Sequence, residues 1–290
     1  MVILFAIGAA FFYGFSDFLT RVGLRRSNAQ SAVLFSTVSG LLAPLVIALY
    51  TIPVSQFATR ALFFFVLAGI IGPFIARYLL YVGIERLGVS IASPLANIKP
   101  AFGALIAVLF LGEKLNAPII AGTLVIIVGV TVIGRERSGG QIAKKWSRKD
   151  LIFPILASFC YGLTAIMRKV GMNITPEPMV GVVVQNTAAL AVLILLTPVQ
   201  RTHLRVNYRD RRAWFIFSLS GLIAFFAHYC TFFALSLGLV VIVGPLVSLN
   251  PFFALLLAVI FLRKEERVTG KILLGAAFIV GGTAILAWVS

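Results

Sequence analysis

Tyr13-Gly14-Phe15-Ser16-Asp17-Phe18-Leu19-Thr20-Arg21-Val22-Gly23 is answered, 148 residues on, by Tyr161-Gly162-Leu163-Thr164-Ala165-Ile166-Met167-Arg168-Lys169-Val170-Gly171. The correspondence runs on downstream. Pro94 and Pro100 return as Pro245 and Pro251, and Phe110-Leu111 with Glu113 returns as Phe261-Leu262 with Glu265 or Glu266. Gly122 and Gly129 return as Gly275 and Gly282. The chain is two copies of one unit, and each unit holds five apolar segments. An odd number of membrane crossings turns the second copy upside down, an arrangement that secondary transporters reuse.

The composition agrees. Hydrophobic residues make up 60% of the chain and charged residues 12%, far from the even balance of soluble domains. The net charge of +16 would suggest nucleic acid in a soluble protein. Here the basic residues sit between apolar spans without a recognition motif, so the expected partner is the lipid bilayer and no nucleic acid. Cys160 and Cys230 lie inside apolar spans with no metal spacing and read as small core residues. The start, Met1-Val2-Ile3-Leu4-Phe5, lacks a positive n-region, so no cleaved signal peptide is expected.

Ten segments are long enough to cross a bilayer as helices. In the first half they are 2–20, 31–50, 61–83, 89–111 and 117–134; in the second, 151–167, 179–198, 213–235, 239–262 and 268–288. They are apolar all round, which excludes a membrane β-barrel with its alternating pattern. The fold class is therefore an all-α polytopic membrane protein, with ten transmembrane helices in two inverted five-helix repeats. Residues 1–134 form the first repeat, 135–150 a basic linker containing Ser138-Gly139-Gly140, and 151–290 the second repeat.

Loop charge sets the topology. Nineteen Lys and Arg fall in the odd-numbered loops, including Arg21, Arg25 and Arg26 in the first and Arg201, Arg205, Arg209, Arg211 and Arg212 in the seventh. Four fall in the even loops: Arg60, Lys114, Arg168 and Lys169. Basic loops stay in the cytoplasm, so both termini are predicted outside. Between the halves the helix pattern is kept while the charge changes side, as inverted repeats require.

At this point the chain resembles the drug/metabolite transporter superfamily in its ten-helix EamA-type form. The resemblance rests on the paired units and the Tyr-Gly near the start of each. It rests also on Leu87-Gly88 and Leu237-Gly238 before each fourth helix, on the prolines within those helices, and on Phe110-Leu111-Gly112-Glu113-Lys114-Leu115. The last motif is degraded in the second half, Phe261-Leu262-Arg263-Lys264-Glu265-Glu266. Members are similar in fold and move amino acids, sugar phosphates, nucleotide sugars, drugs and other metabolites, so the resemblance implies transport without naming the cargo.

Candidate site residues are polar groups within spans. Lys99 falls in mid-span, where a charge costs roughly 3 kcal/mol on insertion scales. Pro100 follows and removes a backbone hydrogen bond to Ala96. The repeat counterpart is Asn250 before Pro251. The pair reads as a binding site, Lys99 supplying charge and Asn250 hydrogen bonds; the bland alternative is a structural lysine paired with a carboxylate. Arg77 and His228 are counterparts expected toward opposite membrane faces. Arg77 reads either as a cavity cation or as a snorkelling side chain, and His228 either as a proton carrier or as a core group. Tyr13, Tyr81, Tyr161 and Tyr229 offer apolar faces with polar tips to the same cavity. Asp17 stands four residues before Arg21, a spacing that favours a helix-face ion pair over a role in proton coupling. Gln185 and Asn186 are expected to bridge helices. Gly122, Gly129, Gly134, Gly270, Gly275, Gly281 and Gly282 are expected to form helix packing or a homodimer surface.

The leading function is a secondary transporter for a small-molecule substrate bearing a carboxylate or phosphate, such as an amino acid or organic anion. A proton-coupled drug or cation exporter is the alternative. No Walker motif precedes a helix, and no cofactor or metal site is expected. An enzyme acting on lipid would place His, Asp or Glu clusters at the membrane surface, which two histidines and nine acids do not provide, so no enzymatic activity is expected.

Overall fold

The computed structural model describes residues 1–27, 29–57, 59–87, 89–137, 147–196, 210–261 and 269–289, and Tyr81 is described in its backbone only. Linker residues 138–146, Arg201, Arg205, Arg209 and residues 262–268, all of which enter the sequence reading, lie outside the described residues. The first half runs through α1 (Val2–Leu24), α2 (Ala29–Thr51), α3 (Ala61–Gly69), a π-helical stretch (Ile70–Ala76), α4 (Arg77–Leu87), α5 (Val89–Ala96), α6 (Lys99–Leu111) and α7 (Ala117–Arg137). The second runs through α8 (Ile152–Ile174), α9 (Pro178–Leu196), α10 (Arg211–Leu237), α11 (Val240–Val247), α12 (Asn250–Phe261) and α13 (Gly270–Val289). Among the described residues eight stretches are long and apolar enough to span a membrane, and the shorter apolar helices Lys99–Leu111 and Ala117–Ile133 complete the ten segments.

The fourth helix of each repeat breaks at the same place. α5 gives way to α6 at Asn97-Ile98, and α11 to α12 at Ser248-Leu249. Proline has no N–H and collides with the carbonyl four residues earlier, so Pro100 and Pro251 fit only in the opening turn of a new helix. Equivalent bonds restart each helix: the Ala101 N–H donates to the Ile98 carbonyl at 2.9 Å, and the Phe252 N–H to the Leu249 carbonyl at 2.9 Å. The third helices differ. Pro73 lies inside the π-helical stretch, whereas its counterpart Ala224 lies inside the unbroken α10.

Packing repeats with the halves exchanged. α1 lies on α10 as α8 lies on α3, the π stretch and α4. α1 meets α11 and α12 as α8 meets α5 and α6, and α7 meets its own counterpart α13. The Tyr-Gly motif explains one pair of crossings. A Cβ on Gly14 would come 2.6 Å from the Asn250 carbonyl oxygen, and one on Gly162 would come 2.7 Å from the Gly103 nitrogen. Along α7 and α13, Gly122 sits against Gly282 and Gly129 against Gly275. Residue numbers rise on one helix as they fall on the other, so these counterpart helices are antiparallel. That is the inversion seen directly. Without a hydrophobic drive between helices in lipid, close approach of small residues supplies van der Waals contact instead. Of the seven glycines expected at such surfaces, these four are packed within the molecule, while Gly270 and Gly281 meet nothing within 4 Å.

α8 corrects the loop-charge reading. It continues to Ile174, so Arg168 and Lys169 lie within it rather than in the sixth loop. Gly171 packs onto the Phe65 ring as Gly23 packs onto Phe217, and both cations find partners inside the bundle. At the far edge, Ser147 caps the turn before α8 with Asp150 in a reciprocal capping box, and Arg86 pairs with Asp150 at 3.0 Å.

Candidate functional site

The two broken helices aim their restarted ends at the middle of the bundle, and Lys99 and Asn250 are the first residues of those ends. Two cavities meet there. Asp17, Pro73, Arg77, Lys99, Tyr161, His228 and Asn250 line both. One, of about 260 Å³, extends past Thr164 and Arg168 to Leu235 and Val240. The other, of about 500 Å³, extends past Ser16 and Thr20 to Leu24, Ala32 and Val33 at the α1–α2 turn. They run to opposite ends of the bundle, because Gly23 of α1 meets Phe217 near the start of α10 while Val2 meets Gly238 past its end. Their walls are counterparts under the repeat: Val247, Ser248 and Pro100 in one stand where Ala96, Asn97 and Pro251 stand in the other.

Of the eight residues expected at the site, six are brought together. Lys99, Asn250, Arg77, His228 and Tyr161 line both cavities, and Tyr13 lines the smaller. Arg77 and His228 were expected toward opposite faces; both stand close enough to the middle to share one space. Tyr229 goes elsewhere, packing with Phe225 and Phe233 at centroid distances of 6.3 Å each. The side chain of Tyr81 lies outside the described residues.

The Lys99 ammonium sits 5.8 Å from the centroid of the Tyr161 ring and within electrostatic reach of Asp17. The Asp17 carboxylate accepts a hydrogen bond from Asn250 Nδ2 at 2.9 Å. Asp17 is thus part of the central cluster, which the i, i+4 spacing to Arg21 did not suggest. The Tyr13 ring meets His228 edge-on at 5.3 Å. Two helix N-termini and the cations Lys99, Arg77 and Arg168 converge here around one carboxylate, so the middle of the cavity is electropositive.

Arg168 escaped the sequence reading. Its Nε donates to Gln185 Oε1 at 2.7 Å, and its guanidinium lies 5.4 Å from the Phe232 ring centroid. The signal was present: apolar Val170, Met172 and Ile174 follow it, and its repeat counterpart is Thr20. Gln185 and Asn186 bridge helices as expected, Asn186 Nδ2 donating to the Gly40 carbonyl at 2.9 Å. Glu113 was also unforeseen as a buried acid. Its two oxygens accept from the N–H groups of Val240 and Val241 at 2.9 and 3.0 Å, at the start of α11. Beside it, Lys169 Nζ donates to the carbonyls of Leu235 and Gly238 at 2.7 and 2.9 Å. An anion at one helix start and a cation at another helix end match the two dipoles and hold the α10–α11 turn in place.

A family model for the EamA-like transporter family matches residues 1–135 and again 148–288. An uncharacterised protein of Methanocaldococcus jannaschii is 28% identical over 134 residues, which is 45% of this chain and 94% of that relative. A solved crystal structure superposes with a TM-score of 0.78 at 18% identity, covering 99% of this chain and 96% of the other, which speaks to fold alone. The family match and the apolar helices make this a polytopic membrane transporter. The chain belongs to the EamA-like transporter family.

Proposed function

We propose that the protein is a secondary transporter in which one five-helix repeat rocks against the other around Lys99 and Asn250, carrying a small metabolite with a carboxylate or phosphate group, such as an amino acid or organic anion. The observation that carries this reading is the cluster at the meeting point of the two cavities. An ammonium in mid-membrane is expensive even with the Asp17 carboxylate in reach, and is retained where it meets a ligand. Lys99 stands at the N-terminus of α6, where the helix dipole already repels a cation, so an anion in the cavity relieves both charges. The repeats, 1–134 and 151–290 about the linker 135–150, pack mainly on each other, α1 on α10 and α8 on α3 and α4, so the rocking is a sliding along these inter-repeat contacts. The Methanocaldococcus jannaschii relative is itself about half this chain's length, which supports the five-helix repeat as the evolutionary unit.

The positive-inside distribution assigns the α1–α2 turn to the cytoplasm of the cell membrane and both termini to the outside. The larger cavity then faces inward. A homodimer is a further proposal; Gly270 and Gly281, unpacked within the molecule, are the small residues left for it.

Counterflow in liposomes tests the reading. Amino acids, dicarboxylates or sugar phosphates are expected to show saturable exchange, and a thermal-shift screen identifies the binder, since a ligand specific to the folded state raises stability. Exchange confined to lipophilic cations would overturn the anionic preference. The cation-exporter reading has one observation in its favour, the Asp17 carboxylate in the cavity wall. It requires that Asp17→Asn abolish cation efflux while Lys99→Gln spares it.

A further inference from the structure

We propose that Arg168 is a second oxyanion subsite at the narrow end of the cavity, a guanidinium fork that receives the carboxylate or phosphate of the transported molecule. This rests on the cavity being a transport path. Arg168 lies in the wall of the 260 Å³ cavity, six residues inside the end of α8. Its position is held from two sides. Gln185, fully buried, takes the Nε–H, and the Phe232 ring, also fully buried, lies beside the guanidinium. Among the described residues Arg168 makes no ion pair, and its terminal nitrogens donate to no described group. A guanidinium fixed through Nε presents Nη1 and Nη2 as two parallel donors, spaced for two oxygens of one carboxylate or phosphate.

The neighbouring hydroxyls do not compete for that role. Thr164, Thr231 and Ser248 share the wall, but each already donates to the carbonyl four residues earlier, Cys160, Ala227 and Gly244. Arg168 therefore holds the open donors at this end, with Lys99 at the other end of the same small space. The repeat counterpart is Thr20, whose hydroxyl is bonded to Ser220 at 2.8 Å. Arg77 lines both cavities and Arg168 the smaller one alone, so among the described residues Arg168 distinguishes this end and orients the bound molecule with its oxyanion toward it.

The test uses the purified full chain, with glutamate, succinate and glycerol 3-phosphate as oxyanion probes and with glycerol and tetraphenylphosphonium as uncharged and cationic controls. Binding is read by ligand-induced thermal shift and by competition. At least one oxyanion is expected to bind the wild type, and the carboxylates against the phosphate tell which head group the fork takes. Arg168→Lys keeps the charge and loses the fork; it should weaken that probe about ten- to a hundredfold. Gln185→Met frees Nε without altering charge and should weaken it in the same direction. Melting of the unliganded variants near the wild-type temperature separates lost binding from lost folding. Wild-type affinity in both Arg168→Lys and Arg168→Gln, with loss in Lys99→Gln, overturns the Arg168 subsite and leaves the reading of Lys99 standing. A wild type blind to all three oxyanions overturns both.

Discussion

At the scale of the residue, the chemistry is decided by where the two repeats disagree. Tyr13 and Tyr161 are the same residue in both copies, and both reach the cavity. Lys99 against Asn250, Arg77 against His228 and Arg168 against Thr20 break the symmetry and put the positive charge unevenly around one space. Lys99→Gln should reduce exchange of an anionic substrate at least tenfold, about 1.4 kcal/mol or more of lost interaction. It should not lower the melting temperature of the unliganded protein, because burying the ammonium is itself unfavourable and Asp17 keeps its hydrogen bond from Asn250. Unchanged uptake of every anionic substrate tested would remove Lys99 from the site. Asp17 shows the limit of local pattern reading. Four residues to Arg21 is a familiar helix spacing, but the same carboxylate also faces across the bundle to Asn250, 233 residues away. Spacing along one helix says nothing about what a second helix brings to it.

At the scale of the element, prolines and one glutamate shape the path. Pro100 and Pro251 were legible as breaks because a missing N–H is a covalent fact. The π-helical stretch around Pro73 was not, since a proline in a long span ends, kinks or widens a helix according to its neighbours. Glu113 occupies the recognisable Phe-Leu-Gly-Glu-Lys-Leu segment, yet its work is done on another element, as the acceptor for the first N–H groups of α11. Glu113→Ala leaves two buried donors without partners and should destabilise the protein by on the order of 2–4 kcal/mol. Glu113→Gln keeps one oxygen acceptor and should lose less. Thermal unfolding in detergent measures both, and an alanine variant as stable as the wild type would show that water replaces the carboxylate.

At the scale of the whole molecule, the inverted repeat predicts which surfaces face which compartment. With Cys160 and Cys230 replaced by alanine, single cysteines at Arg86 and Lys114, both exposed, should react differently with an impermeant maleimide. In intact cells Lys114→Cys should be labelled and Arg86→Cys should not, until the membrane is opened. The reverse pattern would flip the assigned topology, and labelling of both from outside would break the inverted arrangement.

The amino-acid sequence by itself determined the class: ten apolar segments, their duplication, the odd count that inverts the second copy, and the helix breaks at the two prolines. These follow from composition, period and covalent structure, which are local or statistical properties of a chain. Only the tertiary structure decided that Asp17 and Arg168 stand in one cavity wall with Lys99, that Tyr229 does not, and that Glu113 and Lys169 bind the backbone between α10 and α11. Those outcomes depend on which side chains the antiparallel crossings bring within hydrogen-bonding distance. In an apolar medium a polar group settles on whatever partner the packing supplies.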